Sequence, residues 1–428
     1  MPVLLISLAV LLLIGVPIAY SLGISGMLYF VVHQPALLEI LPQRVFAGMD
    51  TYAMVALALF VLMGLVMNEG GMTTRLIDFS LVFVGRFRGG LGLVNVFASM
   101  IFGGISGSSV SDTASVGAVL IPQMRRKGYS AEFASGITVA SSTMGMIIPP
   151  SVPMVIYALV SEQSVGRLFL GSLIPGVTIG VLMLGITFLI STRKRYPKEE
   201  LAPDAKEMWT RLRKGLVAMA MPVFVIGSVV LGIATATESA GIGVLYAIVV
   251  GVFVIRGFKL SALPRLLKQS AMTSATVMII IALSNLYIWI LALERIPLRV
   301  ATFLGGLELP AFAIILAVNA VILLTGTFVD VTPAILLLTP VFLPAMVALG
   351  MSPIQFGVLL ISGLAVGLVT PPVGICLNVA SAISKLPIGA IFKAALPFLV
   401  ANAITLLLIS FFRPFTLWLP NILMGGAG

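Results

Sequence analysis

Long apolar blocks dominate this chain, set apart by short polar stretches and by breaks rich in glycine and proline. The first blocks run over 3–32, 52–67, 91–102, 133–148 and 166–191. A polar connection over 192–214 follows, and then blocks over 216–233, 240–255, 271–293, 300–324, 335–349, 356–369 and 391–412. A bilayer-crossing helix needs about 20 apolar residues, so the chain has material for on the order of ten crossings. Several blocks are too short to cross. Those flanking 106–112 and 326–332 are better read as arms of re-entrant hairpins, which dip into the bilayer and return. The pattern predicts an all-α, polytopic membrane protein.

Two stretches interrupt the apolar sequence in the same way: Gly145-Met146-Ile147-Ile148-Pro149-Pro150 and Gly367-Leu368-Val369-Thr370-Pro371-Pro372. Lipid offers no water to satisfy freed backbone groups, so such a break is tolerated only where protein, ion or solute takes up the loose carbonyls and amides. Broken helices at matching places in two halves point to a secondary transporter. Laying the halves over one another supports a repeat. Asp112 and Pro122 match Asp330 and Pro340 at an offset of 218 (330 − 112), whereas Gly128, Ser130, Gly145, Pro149 and Pro150 match Gly350, Ser352, Gly367, Pro371 and Pro372 at 222 (350 − 128). A four-residue insertion in one loop would reconcile the two offsets.

The loops after the matched hairpins differ in charge. Arg125-Arg126-Lys127-Gly128 is strongly basic and its counterpart Val347-Ala348-Leu349-Gly350 is neutral. The positive-inside rule assigns the first to the cytoplasm and leaves the second free to face the other side, so the repeats are expected to be inverted. Inverted repeats bring equivalent broken elements face to face near the bilayer midplane.

The first hairpin tip, 103–113, holds Ser106, Ser108, Ser109 and Asp112 among glycines. Glycine permits close backbone approach, and hydroxyls supply oxygen without fixed charge. The alternative for these residues is small-residue helix packing. Asp112 argues for function, because an ionisable group at membrane depth is expensive, although helix capping is its other reading. The second tip, 325–333, carries Gly326, Thr327 and Asp330. Carbonyls at Gly145, Ile148 and Pro150 would join Ser106, Ser108 and Ser109 around one cation. Carbonyls at Gly367 and Val373, with the Thr370 hydroxyl, would join Gly326 around another. Hard cations prefer oxygen ligands, and sodium is the natural choice. Helix N-termini at the hairpin arms attract anions, which favours a carboxylate solute between the ion sites, with Asp112, Asp330, Thr327 and Asn378 as candidate contacts. Glu238 and Asn285 are further polar outliers with no assigned role.

Composition agrees with this setting. Of 428 residues, 60% are hydrophobic and 9% charged, against roughly 25% charged in soluble domains. The excess of 25 Lys and Arg over 15 Asp and Glu sits in loops beside apolar blocks, as Arg193, Lys194, Arg195, Lys198, Lys206, Arg211, Arg213 and Lys214 do. It reports orientation and not nucleic acid. The single cysteine, Cys376, excludes an intrachain disulfide and reads as a small buried side chain. The N-terminal block reads as a retained first helix and not as a removed signal peptide.

The hairpin 104–113, the pair Pro149-Pro150 after Ala140-Ser141-Ser142-Thr143-Met144-Gly145, and the stretches 326–333 and 367–372 resemble the large membrane subunit of tripartite ATP-independent periplasmic (TRAP) transporters along the whole chain. The resemblance implies an elevator-type, sodium-coupled importer of an organic acid, such as a C4-dicarboxylate or sialic acid, in the bacterial inner (cytoplasmic) membrane. Sodium would be the coupling ion, with no organic cofactor. The partners implied are a periplasmic substrate-binding protein (P type) and a small membrane subunit (Q type). Because the chain opens directly on the large-subunit pattern, the small subunit is expected as a separate chain. The expected division is scaffold helices over 1–90, transport repeat 1 over 91–165, scaffold over 166–300 with the cytoplasmic loop 192–214, transport repeat 2 over 301–390, and a C-terminal helix over 391–428.

Two other classes compete. Gly104-Ile105-Ser106-Gly107 fits the nucleophile motif of rhomboid-like intramembrane serine proteases, but a serine needs a base, and the lone histidine, His33, lies far upstream. A carbonyl-lined ion channel would also use broken helices, although two inverted sites suit alternating access better. No Gly-x-x-x-x-Gly-Lys-[Ser/Thr] loop for ATP is present. A non-enzymatic carrier is the expectation.

Overall fold

A computed structural model describes residues 2–198, 205–306 and 308–425; the stretch 199–204, inside the expected polar connection, lies outside the described residues. Helices account for every regular element among them, and the only extended pairing is an isolated bridge between Arg88 and Lys198. Seven helices are long and apolar enough to cross a bilayer, or up to nine if each of two bent pairs is one span. In lipid only helices satisfy all backbone groups within one segment, which is why so apolar a chain adopts this architecture.

Both re-entrant hairpins are present. The first pairs Gly90–Ser106 with Ser109–Arg126, and the second pairs Ala311–Phe328 with Val331–Ala348. Each leads into a broken helix. One runs through Ala131–Ser142 and Met144–Ile147 and resumes at Val152–Ser161; the other runs through Pro353–Gly367 and resumes at Ile375–Ser384.

The repeat is more regular than the sequence alignment implies. Ser109–Arg126 and Val331–Ala348 have the same 18-residue length and a constant offset of 222 (331 − 109 and 348 − 126). The following turns keep it, with Gly128 and Gly350 both at φ +86°. No four-residue insertion exists. Ser108 and Asp330, both helix N-caps, are the true equivalents, and Pro122 corresponds to Pro344. Asp112 and Asp330 do not correspond: Asp112 lies one turn inside its helix.

The two repeats exchange elements. Val152–Ser161, after the first break, packs on Val331–Ala348 of the second hairpin, and Ile375–Ser384, after the second, packs on Ser109–Arg126 of the first. The Tyr157 hydroxyl donates to the Pro353 carbonyl at 2.6 Å, and the Arg125 guanidinium reaches the Ser384 carbonyl at 3.5 Å. The basic 125–128 turn therefore shares an end with Ser384, while Pro353, beside the neutral turn, shares one with Tyr157. The basic connection folds to the same end as the 125–128 turn. The Gly89 amide donates to the Pro197 carbonyl at 3.0 Å, and Tyr129 stacks on Tyr196 with centroids 4.5 Å apart.

Other boundaries differ from expectation. The first block is two helices, Pro2–Leu13 and Ile18–His33, packed together about a turn at Gly15 (φ +85°) and Pro17. Apolar residues continue through that turn, so hydrophobicity hides it. The block over 300–324 is likewise divided into Ile296–Gly305 and Ala311–Phe328, where Gly305, Gly306 and Pro310 stop helix growth. Val165–Arg193, within the expected scaffold stretch 166–300, and Ile388–Phe411, which contains most of the expected C-terminal helix, each pack against both broken helices. Gly136 lets Ile388–Phe411 approach closely: a Cβ there would sit 2.7 Å from the Ala394 carbonyl carbon. Buried polar bonds hold the same helix, from Thr143 to Asn402 at 3.0 Å, Asn319 to Ser410 at 2.9 Å and Gln355 to the Ile409 carbonyl at 2.8 Å.

Candidate functional site

Each hairpin tip rests against the break of its own repeat, backbone on backbone. In the first, Gly90–Ser106 ends at Gly107 (φ +61°), and Ser108 caps Ser109–Arg126 by accepting from the Ser111 amide at 3.5 Å. A Cβ on Gly103 would meet the Gly145 Cα at 3.0 Å, one on Gly104 the Pro149 carbonyl at 2.9 Å, and one on Gly107 the Pro150 carbonyl at 3.2 Å. Glycine is required here by close approach. At the break Ile148 turns extended (φ −76°, ψ 124°), Pro149-Pro150 is cis, and the Ser151 hydroxyl donates to the Met146 carbonyl at 2.6 Å. Ser106, Ser108, Ser109, Gly145, Ile148 and Pro150 are thus brought to one place.

Asp112 sits beneath this tip, 1 % exposed. Oδ1 accepts the Ser106 hydroxyl, while Oδ2 faces the bare Cα of Gly145 and has no hydrogen-bond partner; the buried Ser109 hydroxyl has none either. Two orphaned oxygens beside freed backbone carbonyls are a donor set that fits a hard cation, since a buried polar group without a partner is costly. Among the described residues no cluster of three or more His, Cys, Asp or Glu could hold a metal, so a cation here depends on hydroxyl, carbonyl and single-carboxylate oxygen.

The second tip is built alike with different capping. A Cβ on Gly326 would lie 3.0 Å from the Leu364 carbonyl and 3.1 Å from the Gly367 Cα. Asp330 accepts from the Val331 amide at 2.8 Å as N-cap. Thr327 and Thr370 donate to the Leu324 and Val366 carbonyls at 2.7 and 2.8 Å, which leaves each hydroxyl oxygen able to accept or coordinate. Gly374 (φ +48°) starts the resumed helix. Asn378 donates its amide to the Val373 carbonyl at 2.7 Å, so these two predicted site residues engage each other at the edge of the break.

Between the tips lies a cavity of about 360 Å³. Ser106, Ser108, Ser109 and Asp330 line it, together with Ser111, Thr332 and the start of the resumed helix at Val152 and Pro153. Asp112, Thr327 and Asn378 do not. Its far wall comes from outside the repeats, where Gly64 and Asn68 of Tyr52–Glu69 and Thr273 of Leu263–Leu293 face the tips. Sequence reasoning missed Asn68 and Thr273. Asn68 carries a faint signal as a lone amide in an apolar helix, whereas Thr273 carries none. No Lys, Arg or His lines the cavity.

The remaining outliers have structural roles. Glu238 closes a capping box, accepting from the Thr235 amide at 2.8 Å, and Asn285 donates to the Arg44 carbonyl at 3.1 Å. His33 stacks on Tyr29, centroids 4.9 Å apart, and approaches its carbonyl at 3.3 Å. The Ser106 hydroxyl is bonded to a carboxylate and not to a histidine, so the serine–histidine pair of a rhomboid-like protease is not formed.

Opposed hairpins meeting paired broken helices around a shared cavity define a membrane transport protein of the inverted-repeat type. The chain belongs to the TRAP transporter large-permease family: residues 5–415 match the family model described as the tripartite ATP-independent periplasmic transporter, DctM component. It is 36% identical to the C4-dicarboxylate TRAP transporter large permease protein DctM of Pseudomonas aeruginosa, over 94% of each chain. It is 33% identical to the sialic acid TRAP transporter large permease protein SiaM of Vibrio cholerae, over 97% of each. The isethionate TRAP transporter permease protein DctMQ of Oleidesulfovibrio alaskensis is 32% identical over 97% of this chain and 65% of its own length. These relatives are permeases and not enzymes. The fold is also similar to that of the Alcanivorax borkumensis YdaH transporter, with a TM-score of 0.64 at 16% identity over 91% of each chain.

Proposed function

We propose that this chain is the membrane-embedded carrier of a sodium-coupled importer in the bacterial inner membrane, taking an organic acid from a periplasmic binding protein and working beside a small membrane subunit. The observation that carries the sodium reading is the orphaned buried Asp112 Oδ2, set against the broken backbone at Gly145, with a second orphaned oxygen, Ser109 Oγ, on the same hairpin tip. The relatives named for C4-dicarboxylate and sialic acid support an organic acid as the solute. With no cationic side chain around the cavity, an anion there would depend on helix N-termini and on bound cations for its counter-charge.

The carrier moves by an elevator stroke of one body against a frame. The contacts support a moving unit larger than the hairpins and broken helices alone, extended to 90–193 and 311–411 because Val165–Arg193 and Ile388–Phe411 pack on the broken helices. The frame is then 2–84 with 205–305. Uptake into proteoliposomes tests the function, using candidate acids with and without a sodium gradient and the binding protein. Saturable uptake requiring both the gradient and the binding protein is expected, and Ser108→Ala or Thr370→Ala should raise the sodium concentration needed. Uptake indifferent to sodium, or sodium activation unchanged in both variants, refutes the coupling; ohmic conductance without solute would favour a channel.

A further inference from the structure

A second cavity, of about 300 Å³, opens far from the hairpin tips, where Met72–Val84 meets the first turns of Ala205–Val230. Three cations line it, Arg75, Arg213 and Lys214, and no acidic residue does. The rest of its wall is Thr210 and the apolar side chains of Trp209, Val217 and Val254. Arg75 commits one donor to the Ile255 carbonyl at 3.2 Å, which fixes the guanidinium and leaves its other N–H groups free to turn to the cavity. The nearby acids lie in an adjoining cavity, where Asp78 and Glu207 share Arg75, Arg211 and Lys214, and Arg211 pairs with Glu207 at 2.6 Å.

The apolar side of this cavity is unusually open. Trp209 is 65% exposed, Val254 60% and the adjacent Phe253 67%. Tryptophan beside lysine and arginine at the end of a spanning helix marks the headgroup level of a bilayer, and the basic residues place this end in the cytoplasm. A cationic cup continuous with an exposed apolar wall matches a ligand that is anionic at one end and aliphatic at the other.

We infer that the cavity bounded by Arg75, Arg213, Lys214 and Trp209 is a binding site for an anionic phospholipid of the cytoplasmic leaflet, with its phosphodiester on the three cations and its acyl chains along Val217 and Val254. A free phosphate would satisfy the cations but not the apolar wall, so the lipid is the occupant argued here. The site lies on a frame helix next to Met72–Val84, which packs against the first hairpin arm Gly90–Ser106. A lipid there would brace the frame where the moving unit meets it.

Native mass spectrometry of the purified chain in neutral detergent tests this, with phosphatidylglycerol, phosphatidylcholine or sodium phosphate added. Phosphatidylglycerol should be retained in preference to phosphatidylcholine, and millimolar phosphate should not displace it. Each basic residue near an anionic surface contributes roughly a five-fold factor, so Arg213→Gln with Lys214→Gln should weaken retention about thirty-fold. Arg213→Lys with Lys214→Arg should keep it, as should Arg193→Gln with Arg195→Gln, which removes equal charge elsewhere. Equal retention of both lipids, or of phosphatidylglycerol by the neutralised variant, overturns the proposal; displacement by phosphate reassigns the cup to a free anion. If the neutralised variant does not fold, the unaltered chain decides: preference for phosphatidylglycerol must fall as salt rises.

Discussion

Gly145→Ala is the sharpest test of the proposed first sodium site, because the added methyl group has nowhere to go. Its Cβ would stand 2.7 Å from the Asp112 carboxyl carbon and 3.2 Å from the Ser108 carbonyl oxygen, against the 3.4 Å where ordinary contact begins. The Ser108 oxygen is backbone, and Asp112 is held by Ser106 on its other side. Asp112 Oδ2 lies nearer to the added methyl than the carboxyl carbon does, so the carboxylate must move by more than the 0.7 Å (3.4 − 2.7) that its carbon alone requires, or the tip must lift from the break. Forcing a methyl group into a packed interior costs about 1–3 kcal/mol. If that cost falls on the ion-bound geometry, sodium binding weakens by about 5- to 150-fold. The half-saturating sodium concentration for uptake should rise accordingly. The sodium-induced gain in thermal stability, which follows the logarithm of ion concentration over its dissociation constant, should shrink. Gly185→Ala is the control: a Cβ there meets nothing within 4 Å, and alanine favours a helix interior. A folded Gly145→Ala protein with unaltered sodium dependence in both assays would refute the reasoning.

Three further outcomes probe the packing around the site. Thr143→Val removes the bond to Asn402 that ties the first broken helix to Ile388–Phe411; interhelical bonds of this kind average about 0.6 kcal/mol in a membrane protein, so thermal melting should show a small loss, and a loss above about 2 kcal/mol would mean that the helix is held otherwise. Tyr157→Phe deletes the 2.6 Å bond to the Pro353 carbonyl that joins the repeats; stability should fall by about 1 kcal/mol, with sodium half-saturation unchanged in transport assays. Thr235→Ala breaks the capping box with Glu238, costing about 0.5–2 kcal/mol in melting experiments while leaving uptake per folded molecule intact.

What the chain discloses before folding follows from what lipid forbids. A Pro-Pro break inside an apolar block is legible because it leaves backbone groups that only a site can satisfy, so both breaks and both hairpin tips stand out. Register was less legible. Asp112 and Asp330 invite alignment as the acidic residues of two similar tips, yet one is a buried side chain under a turn and the other an N-cap equivalent to Ser108. The turn at Gly15 is hidden in the sequence because its neighbours are apolar on both sides. The packing of Ile388–Phe411 on the broken helices and on the second hairpin depends on Gly136 and on buried Asn319, Gln355 and Asn402, residues whose partners lie in other segments. Asn68 and Thr273 escaped for the same reason: a cavity wall assembled from distant helices has no local pattern.

The exchange of elements between repeats limits how such a molecule can move. The resumed helix of each broken helix lies on the second arm of the other repeat's hairpin, so neither tip can swing away alone without exposing apolar surface that the opposite repeat covers. Each tip is also in close backbone approach to its own break, through Gly103 against Gly145 and Gly326 against Gly367. A gate that opened one tip would disrupt both kinds of contact at once. Toward the frame, a Cβ on Gly64 would meet the Ile105 and Ser106 carbonyls only at 3.5 and 3.6 Å and the cavity lies in that seam, whereas Met72–Val84, Leu263–Leu293 and Ile296–Gly305 pack directly on the hairpin arms and would have to slide. Moving both repeats together along the seam would preserve the interlocked packing and carry both proposed ion sites with the cavity's serine wall. Single-tip gating would break the packing around those proposed sites, so the interlocked contacts support the proposed joint stroke over a single-tip gate.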